Sequence, residues 1–128
     1  MEMFHNAVSW VEIPVVDFDR AKKFYSAIFD YDMAEMPMGP MRMGFLLHDQ
    51  QNGGIGGAII GGDENNSPSK TGPRVYLNGG TDLNIVLNRV ESAGGKVVLP
   101  KMEISPEYGF CGGFEDTEGN HVFLHSMS

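Results

Sequence analysis

The chain has 128 residues, the usual size of a single domain, and 41% of them are hydrophobic, which is enough to build a core. Its formal net charge of −8 argues against nucleic acid or an anionic membrane surface as the main partner, because phosphate binding needs a basic face. The single cysteine, Cys111, excludes an internal disulfide, and no apolar run approaches the roughly 18 residues of a membrane span. With no signal-peptide pattern at the N-terminus, these features predict a soluble, cytoplasmic protein.

The first predicted unit is a strand followed by an amphipathic helix. The strand covers residues 8–16, where β-branched residues alternate with others. Asp17 is the predicted N-cap of the helix, which we expect to end near Asp30, a residue type that tolerates a left-handed conformation. The apolar residues of this helix recur at i, i+3, i+4 and i+7, at positions Ala21, Phe24, Tyr25 and Ile28.

Three short strands are predicted next, over residues 31–36, 41–48 and 54–60. We expect Pro37, Gly39 and Pro40 to separate the first strand from the second, and residues 50–54 to separate the second from the third. Residues 61–73 are rich in Gly, Asn, Ser and Pro, which predicts the linker of the chain.

After this linker the same order of elements returns. A strand is predicted over residues 74–78, and Thr81 is the predicted N-cap of a second helix that ends at Gly94-Gly95. The apolar residues of this helix have the same spacing as in the first: Leu83, Val86, Leu87 and Val90. Closing strands are predicted over residues 96–103, 108–115 and 121–126.

The two helical stripes lie 62 positions apart in the chain, which indicates an internal structural repeat. Each half alone is too small to bury its own sheet face. We therefore expect an α+β domain in which both helices cover the same side of the sheet.

Three motifs in the chain resemble those of one known family. Residues 17–25, Asp-Phe-Asp-Arg-Ala-Lys-Lys-Phe-Tyr, resemble the helix start of the vicinal oxygen chelate superfamily, which includes glyoxalase I, bleomycin resistance proteins and extradiol dioxygenases. Residues 82–96 are similar to its second helix. Residues 116–120, Asp-Thr-Glu-Gly-Asn, are similar to its D-P-x-G-N hairpin, with Thr117 where proline is usual.

The resemblance implies an α+β fold of two consecutive βαβββ modules. They would form a curved mixed sheet with a concave cleft, and the helices would lie on its outer face. Module 1 would span about residues 5–62, the linker about 61–73 and module 2 about 73–128, all within a single domain covering 1–128. The resemblance also implies a homodimer, because such modules often assemble across chains.

Enzymes of this superfamily bind a divalent metal through side chains on the first and last strands of their modules. Carried over to this chain, the first-strand position of module 1 is Trp10 and the last-strand position is Phe123. The first strand of module 2 offers Val75 or Tyr76. Trp and Phe cannot donate to a metal, and Tyr is a rare ligand. We therefore expect the usual metal site to be absent and no cofactor to be bound.

A relocated divalent metal site is the alternative. Glu12 lies two residues beyond Trp10, and His125 two beyond Phe123, so each would point to the same face as the replaced ligand. His48 could complete such a site. The simpler interpretation is that Glu12 and His125 pair with each other or with solvent at the mouth of the cleft.

A methionine-rich stretch runs from position 33 to position 43. Soft, flexible side chains suit an irregular apolar pocket, and they suit a core beneath a loop equally well. Strand alternation predicts that Met41 and Met43 share one face.

These observations favour a glyoxalase-like protein that binds a small, partly apolar molecule in its cleft without a metal. Trp10, Tyr76 and Phe123 would form the apolar walls. Glu12 and His125 would supply polar contacts, and Glu12 is the candidate general base if a reaction occurs. Two alternatives stay open: a metal-dependent lyase or dioxygenase using relocated ligands, and a dimeric interaction module whose cleft is filled. The predicted ligand-binding residues are Trp10, Glu12, Met41, Met43, His48, Tyr76, Phe123 and His125.

Overall fold

The computed structural model describes all 128 residues as two βαβββ modules, which confirms the predicted α+β fold. Each module contributes a four-stranded mixed sheet, in the orders β1-β4-β3-β2 and β5-β8-β7-β6. In both sheets the first strand of the module pairs in parallel with the last, and the other pairs are antiparallel. The elements are β1 (Trp10–Val15), α1 (Phe18–Phe29), β2 (Glu35–Met38), β3 (Met41–Phe45), β4 (Gly56–Gly61), β5 (Tyr76–Asn78), α2 (Asn84–Leu87), β6 (Lys96–Ser105), β7 (Gly109–Glu115) and β8 (His121–Ser126).

Helix α1 begins and ends at the residues predicted from the sequence. The Asp17 carboxylate accepts a hydrogen bond from the Arg20 backbone N–H at 3.1 Å, as an N-cap does. Asp30 ends the helix in the left-handed conformation, with a φ of 52°. The predicted apolar stripe is buried. At 12 residues α1 is the longest helix, and no helix in the structure is long and apolar enough to cross a membrane.

The prediction for the second helix was wrong in its cap and its length. Helix α2 covers only Asn84–Leu87, and Thr81 caps nothing; the Asp82 carboxylate accepts from the Asn84 N–H at 3.0 Å instead. From Leu87 to Gly94 the chain continues in tight turns. The predicted apolar stripe is nevertheless buried, because a contact from β8 anchors this segment: the Leu83 N–H donates to the Ser126 hydroxyl at 3.0 Å.

The prediction that Pro37 belongs to the break after the strand at residues 31–36 was also wrong. Strand β2 runs from Glu35 to Met38 with Pro37 inside it, opposite Arg42 of β3. This is possible because β2 is the outermost strand of its sheet, where a missing N–H costs no ladder hydrogen bond. Residues 31–34, predicted as strand, are irregular, and Met33 among them is buried in the main core.

One core joins the two modules. Its 17 buried residues come from both helices and from one face of each sheet, so the helices cover the same side. The Phe114 ring of β7 lies 5.7 Å from the Phe24 ring and 6.2 Å from the Tyr25 ring of α1. The opposite face of each sheet carries no helix and is therefore the place where side chains are free to form a site.

The hairpin between β7 and β8 fastens module 2 to module 1. The Glu118 carboxylate, whose side chain has no exposed surface, accepts from the backbone N–H groups of Val16 at 2.9 Å and Asp17 at 2.7 Å. It also pairs with the Arg20 guanidinium at 2.7 Å. Burial raises the pKa of this carboxyl, but the bonds from Arg20 and the backbone outweigh it and leave the pKa below its usual value.

A second buried carboxylate holds the hairpin in shape. Asp116 accepts from the Tyr25 hydroxyl at 2.8 Å and from the backbone N–H groups of Glu118 at 2.9 Å and Asn120 at 2.8 Å. The Asn120 amide in turn donates to the Pro14 carbonyl of β1 at 2.8 Å. Burial and the nearby Asp116 raise the pKa of Tyr25 well above its usual value, so its hydroxyl stays protonated and donates.

Candidate functional site

The helix-free face of the first sheet carries Trp10 and Glu12, as the sequence predicts. The Trp10 indole N–H donates to Glu12 Oε2 at 3.1 Å, and its ring meets the Phe45 ring edge-on with centroids 6.4 Å apart. Glu12 is exposed and has no cationic partner. The indole and the carboxylate therefore act as one unit at the open side of β1.

The imidazole of His48 lies against the same face. A Cβ atom at Gly56 would lie 2.6 Å from His48 Cε1, so the ring occupies the space that a side chain there would need. Gly56 is the partner of Trp10 in the β1–β4 pairing. His48 Nδ1 lies 3.1 Å from the Leu46 carbonyl oxygen, which orients the ring. The glycine thus lets a histidine approach the aromatic end of β1.

The methionines of β3 form a small apolar cluster on this face. Met41 and Met43 share the face, and Met43 is buried against Ala58 and Ile60 of β4. Met33, by contrast, belongs to the main core on the other side. Met33 and Met43 are therefore both packed in apolar clusters, on opposite faces of the sheet, as the core interpretation of the stretch expects.

On the second sheet the Tyr76 ring packs against Phe123, with centroids 5.5 Å apart. The two residues are partners in the β5–β8 pairing, which decides the first-strand position in favour of Tyr76 over Val75. Phe123 is buried and fills the space above Gly113, while the Arg74 guanidinium carbon lies 4.5 Å from the Phe123 ring centroid. Tyr76 and Phe123 therefore meet, whereas Trp10 packs with Phe45 of its own sheet.

His125 and Glu12 do not pair in the structure. His125 Nε2 contacts the Tyr108 carbonyl oxygen, and its cross-strand partners are Asn78 and Cys111. His125 lies beside the buried Cys111 because the pairing of β7 with β8 places the two residues opposite each other. The residues next to Cys111 in the sequence therefore gave no indication of this contact. No hydrogen bond joins the two side chains, and they do not form a nucleophile–base pair.

The side chains of this chain do not fit the divalent metal of the superfamily's enzymes. Trp10 and Phe123 stand where the resemblance implies metal ligands, and neither side chain can coordinate an ion. No three or more His, Cys, Asp or Glu side chains cluster closely enough to hold an ion, and the trio of Glu12, His48 and His125 is not such a cluster.

A cavity of about 1300 Å³ opens between the two modules. Val11 of β1 and Leu77 of β5, both edge strands of their sheets, line it from opposite sides. Half of its lining residues are hydrophobic. A smaller cavity of about 680 Å³ lies beside it near the C-terminus, and Tyr76 contributes to both.

Only some of the predicted residues border these cavities. His48 and Tyr76 line the large one, while Tyr76 and His125 line the small one. The other five predicted residues face the helix-free side without lining either cavity: Trp10, Glu12, Met41, Met43 and Phe123.

Several lining residues of the large cavity escaped the sequence reasoning. Arg74 precedes β5, Ile85 lies on α2 and Arg89 follows it. They come together because the β5–α2 junction faces the other module. No pattern of neighbouring residues in the sequence indicates which module a junction faces. The adjacent Gly79-Gly80 was the one available signal, since paired glycines allow close approach of another segment.

Comparison with known proteins agrees with this architecture. Residues 8–43 match the family model described as bleomycin resistance protein-like N-terminal. A glyoxylase-like domain-containing protein from Didymella fabae is 29% identical over 121 residues, covering 92% of this chain and 91% of the relative.

Solved structures show the same fold. The antibiotic-binding protein TnmS3 from Streptomyces sp. CB03234 superposes with a TM-score of 0.70 at 22% identity, covering 99% of this chain and 100% of that one. A glyoxalase I mutant from Zea mays gives 0.69 at 18% identity over 92% of this chain, which spans only 45% of the maize chain. In its matched segment, its fungal relative and its fold, the chain is similar to glyoxalases and bleomycin resistance proteins.

Proposed function

We propose that this protein binds a small, partly apolar molecule between its two modules and needs no metal to do so. The observation that carries the proposal is the cavity of about 1300 Å³ with a half-hydrophobic lining. Ligand pockets are concave and mostly apolar, with a few polar groups that orient the ligand. The cavity has this composition, with Tyr76, His48 and Asn78 as polar groups among aliphatic walls.

Two further facts support binding over a filled cleft or a chemical step. The open volume is well above the roughly 300 Å³ at the lower end of ligand pockets, whereas a pure interaction module would have its cleft packed with side chains. Glu12, the candidate general base, is hydrogen-bonded to Trp10 outside both cavities. The similar protein TnmS3 is described as antibiotic-binding, which is consistent with a sequestering role.

Replacing Ile85 by serine is expected to weaken the binding of an uncharged apolar dye. Ile85 is 52% exposed and lines the cavity, so the substitution removes apolar contact area without opening the core. For N-phenyl-1-naphthylamine we expect a roughly fivefold rise in Kd, measured by fluorescence titration.

The matched control is Ile104→Ser, on β6. Ile104 is 49% exposed and lines neither cavity, so dye affinity should stay unchanged. Equal Kd values for wild type and both variants would mean that the dye, if it binds, binds elsewhere, and the proposal would then fail.

A metal-dependent lyase or dioxygenase is the competing function, and elemental analysis of the purified protein separates the two. We expect less than stoichiometric Zn, Ni, Mn and Fe, because the ligand positions hold Trp10 and Phe123. Stoichiometric metal that disappears in both Glu12→Ala and His125→Ala would establish the relocated site and overturn the metal-free proposal.

We also propose a homodimer. Trp10, Tyr76 and Met102 expose between 40% and 49% of their surface on the helix-free side, and a second chain would cover such apolar groups. Light scattering of the purified protein measures this directly, and a mass of one chain would contradict it.

A further inference from the structure

The last hairpins of the two modules make different contacts with the opposite module. In module 2 the β7–β8 hairpin packs against the junction between β1 and α1. There the Glu118 carboxylate accepts hydrogen bonds from the N–H groups of Val16 and Asp17. In module 1 the β3–β4 connection, residues 46–55, borders the matching β5–α2 junction without filling it. The repeat thus leaves one of two equivalent docking places open.

The residues that line the large cavity include more basic than acidic side chains, although the chain as a whole is acidic. Of the nine Lys and Arg residues, five pair with carboxylates, and the unpaired ones are Lys23, Arg74, Arg89 and Lys96. Both unpaired arginines line the cavity. The only acidic lining residue is Asp49, which is hydrogen-bonded to Asn52. A protein with a net charge of −8 therefore keeps two unpaired arginines and one carboxylate in the lining of this cavity.

The two guanidinium groups have donors to spare. Arg89 is half-buried and uses one N–H group on the Ile28 carbonyl at 3.1 Å, which orients it. Arg74 stacks on the Phe123 ring and donates to no protein acceptor. Since a guanidinium carries five N–H donors in a planar fork suited to carboxylates, each arginine is able to bind an anionic group.

We propose that the ligand of this cavity is an amphipathic organic anion, an apolar body carrying a carboxylate or sulfonate group. This rests on the proposed binding function and specifies its ligand class. The aliphatic walls contact the apolar body, and Arg74 and Arg89 supply positive charge and hydrogen-bond donors for the anionic group.

Two dyes with the same ring system test the charge alone. 8-Anilinonaphthalene-1-sulfonate carries a sulfonate, and N-phenyl-1-naphthylamine is its uncharged parent. For the wild type we expect the anionic dye to bind more tightly than the neutral one, with an affinity that falls as salt is raised. Arg74→Gln and Arg89→Gln should each raise the Kd of the anionic dye roughly five- to tenfold, because each removes a charged hydrogen-bond donor. The Kd of the neutral dye should stay within about twofold, since the apolar walls are intact.

Lys23→Gln and Lys96→Gln are the matched controls, because both remove an unpaired positive charge outside the cavity. If they weaken the anionic dye as much as the arginine variants do, the effect comes from net charge and the proposal is overturned. Equal affinity for both dyes, with Ile85→Ser still weakening each, would overturn the anionic ligand class while leaving the binding function standing. Failure of both dyes to bind would overturn the binding function and, with it, this inference. Chemical unfolding of each variant shows whether the fold is retained.

Discussion

Glu118→Gln is expected to lower the free energy of unfolding by about 3 kcal/mol, although the residue lies in a hairpin loop. The carboxylate is fully buried and accepts from two backbone N–H groups of module 1 and from Arg20. A neutral amide offers one oxygen in place of two and turns an N–H group toward one of these donors. Urea unfolding followed by circular dichroism measures the difference.

Glu115→Gln is the matched control, because it removes a carboxylate of similar pairing at the base of the same hairpin. Glu115 pairs with His121 and Lys70 but keeps 29% of its side chain exposed. Exposed pairs contribute about 1 kcal/mol or less, so this variant should lose little. Equal losses in the two variants would show that the buried docking contact of Glu118 has no special weight.

The same carboxylate makes stability depend on acid pH. The pKa of Glu118 is held below its usual value, so the folded state favours the charged form. Its contribution is fully present above the unfolded pKa of about 4.3 and is lost as the pH falls through the lower, folded pKa. The wild type should therefore lose stability more steeply than Glu118→Gln between about pH 5 and 3. Parallel curves over this range would contradict the assignment.

Phe114→Ala is expected to lower the free energy of unfolding by about 3–5 kcal/mol. The ring is fully buried and contacts Phe24 and Tyr25 of the other module, so its removal leaves a cavity that neighbours from two modules cannot close. Because the core is shared, we expect both modules to lose stability in one transition. Thermal unfolding followed by near-ultraviolet and by far-ultraviolet circular dichroism tests this, because a single transition gives the same midpoint with both signals.

Phe45→Ala removes a ring of the same type from the helix-free face of the first sheet. Phe45 is only partly buried, beside the Met43 cluster and the edge of Trp10, so its loss should be clearly smaller. A loss as large as that of Phe114→Ala would place the main stabilising contacts on the helix-free face, contrary to the structure.

Local signals predicted much of this fold because their physics is local. The Asp17 cap, the left-handed Asp30 and the two apolar stripes depend on residues within a few positions of one another. The predictions for Pro37 and Thr81 were wrong because the roles of these residues depend on which strand lies beside them. Pro37 is tolerated at a sheet edge, and the start of α2 is anchored by Ser126 from the end of the chain.

The sequence by itself determined the repeat and the face that each strand presents, and its resemblance to the superfamily implied that Trp10 and Phe123 stand at metal-ligand positions. Only the tertiary structure decided where the cavity lies and that Arg74 and Arg89 line it. The reason is that strand and helix patterns arise from neighbours along the chain, whereas the cavity is lined by residues of both modules. That lining depends on surfaces brought together across two modules, and no spacing within either module encodes it.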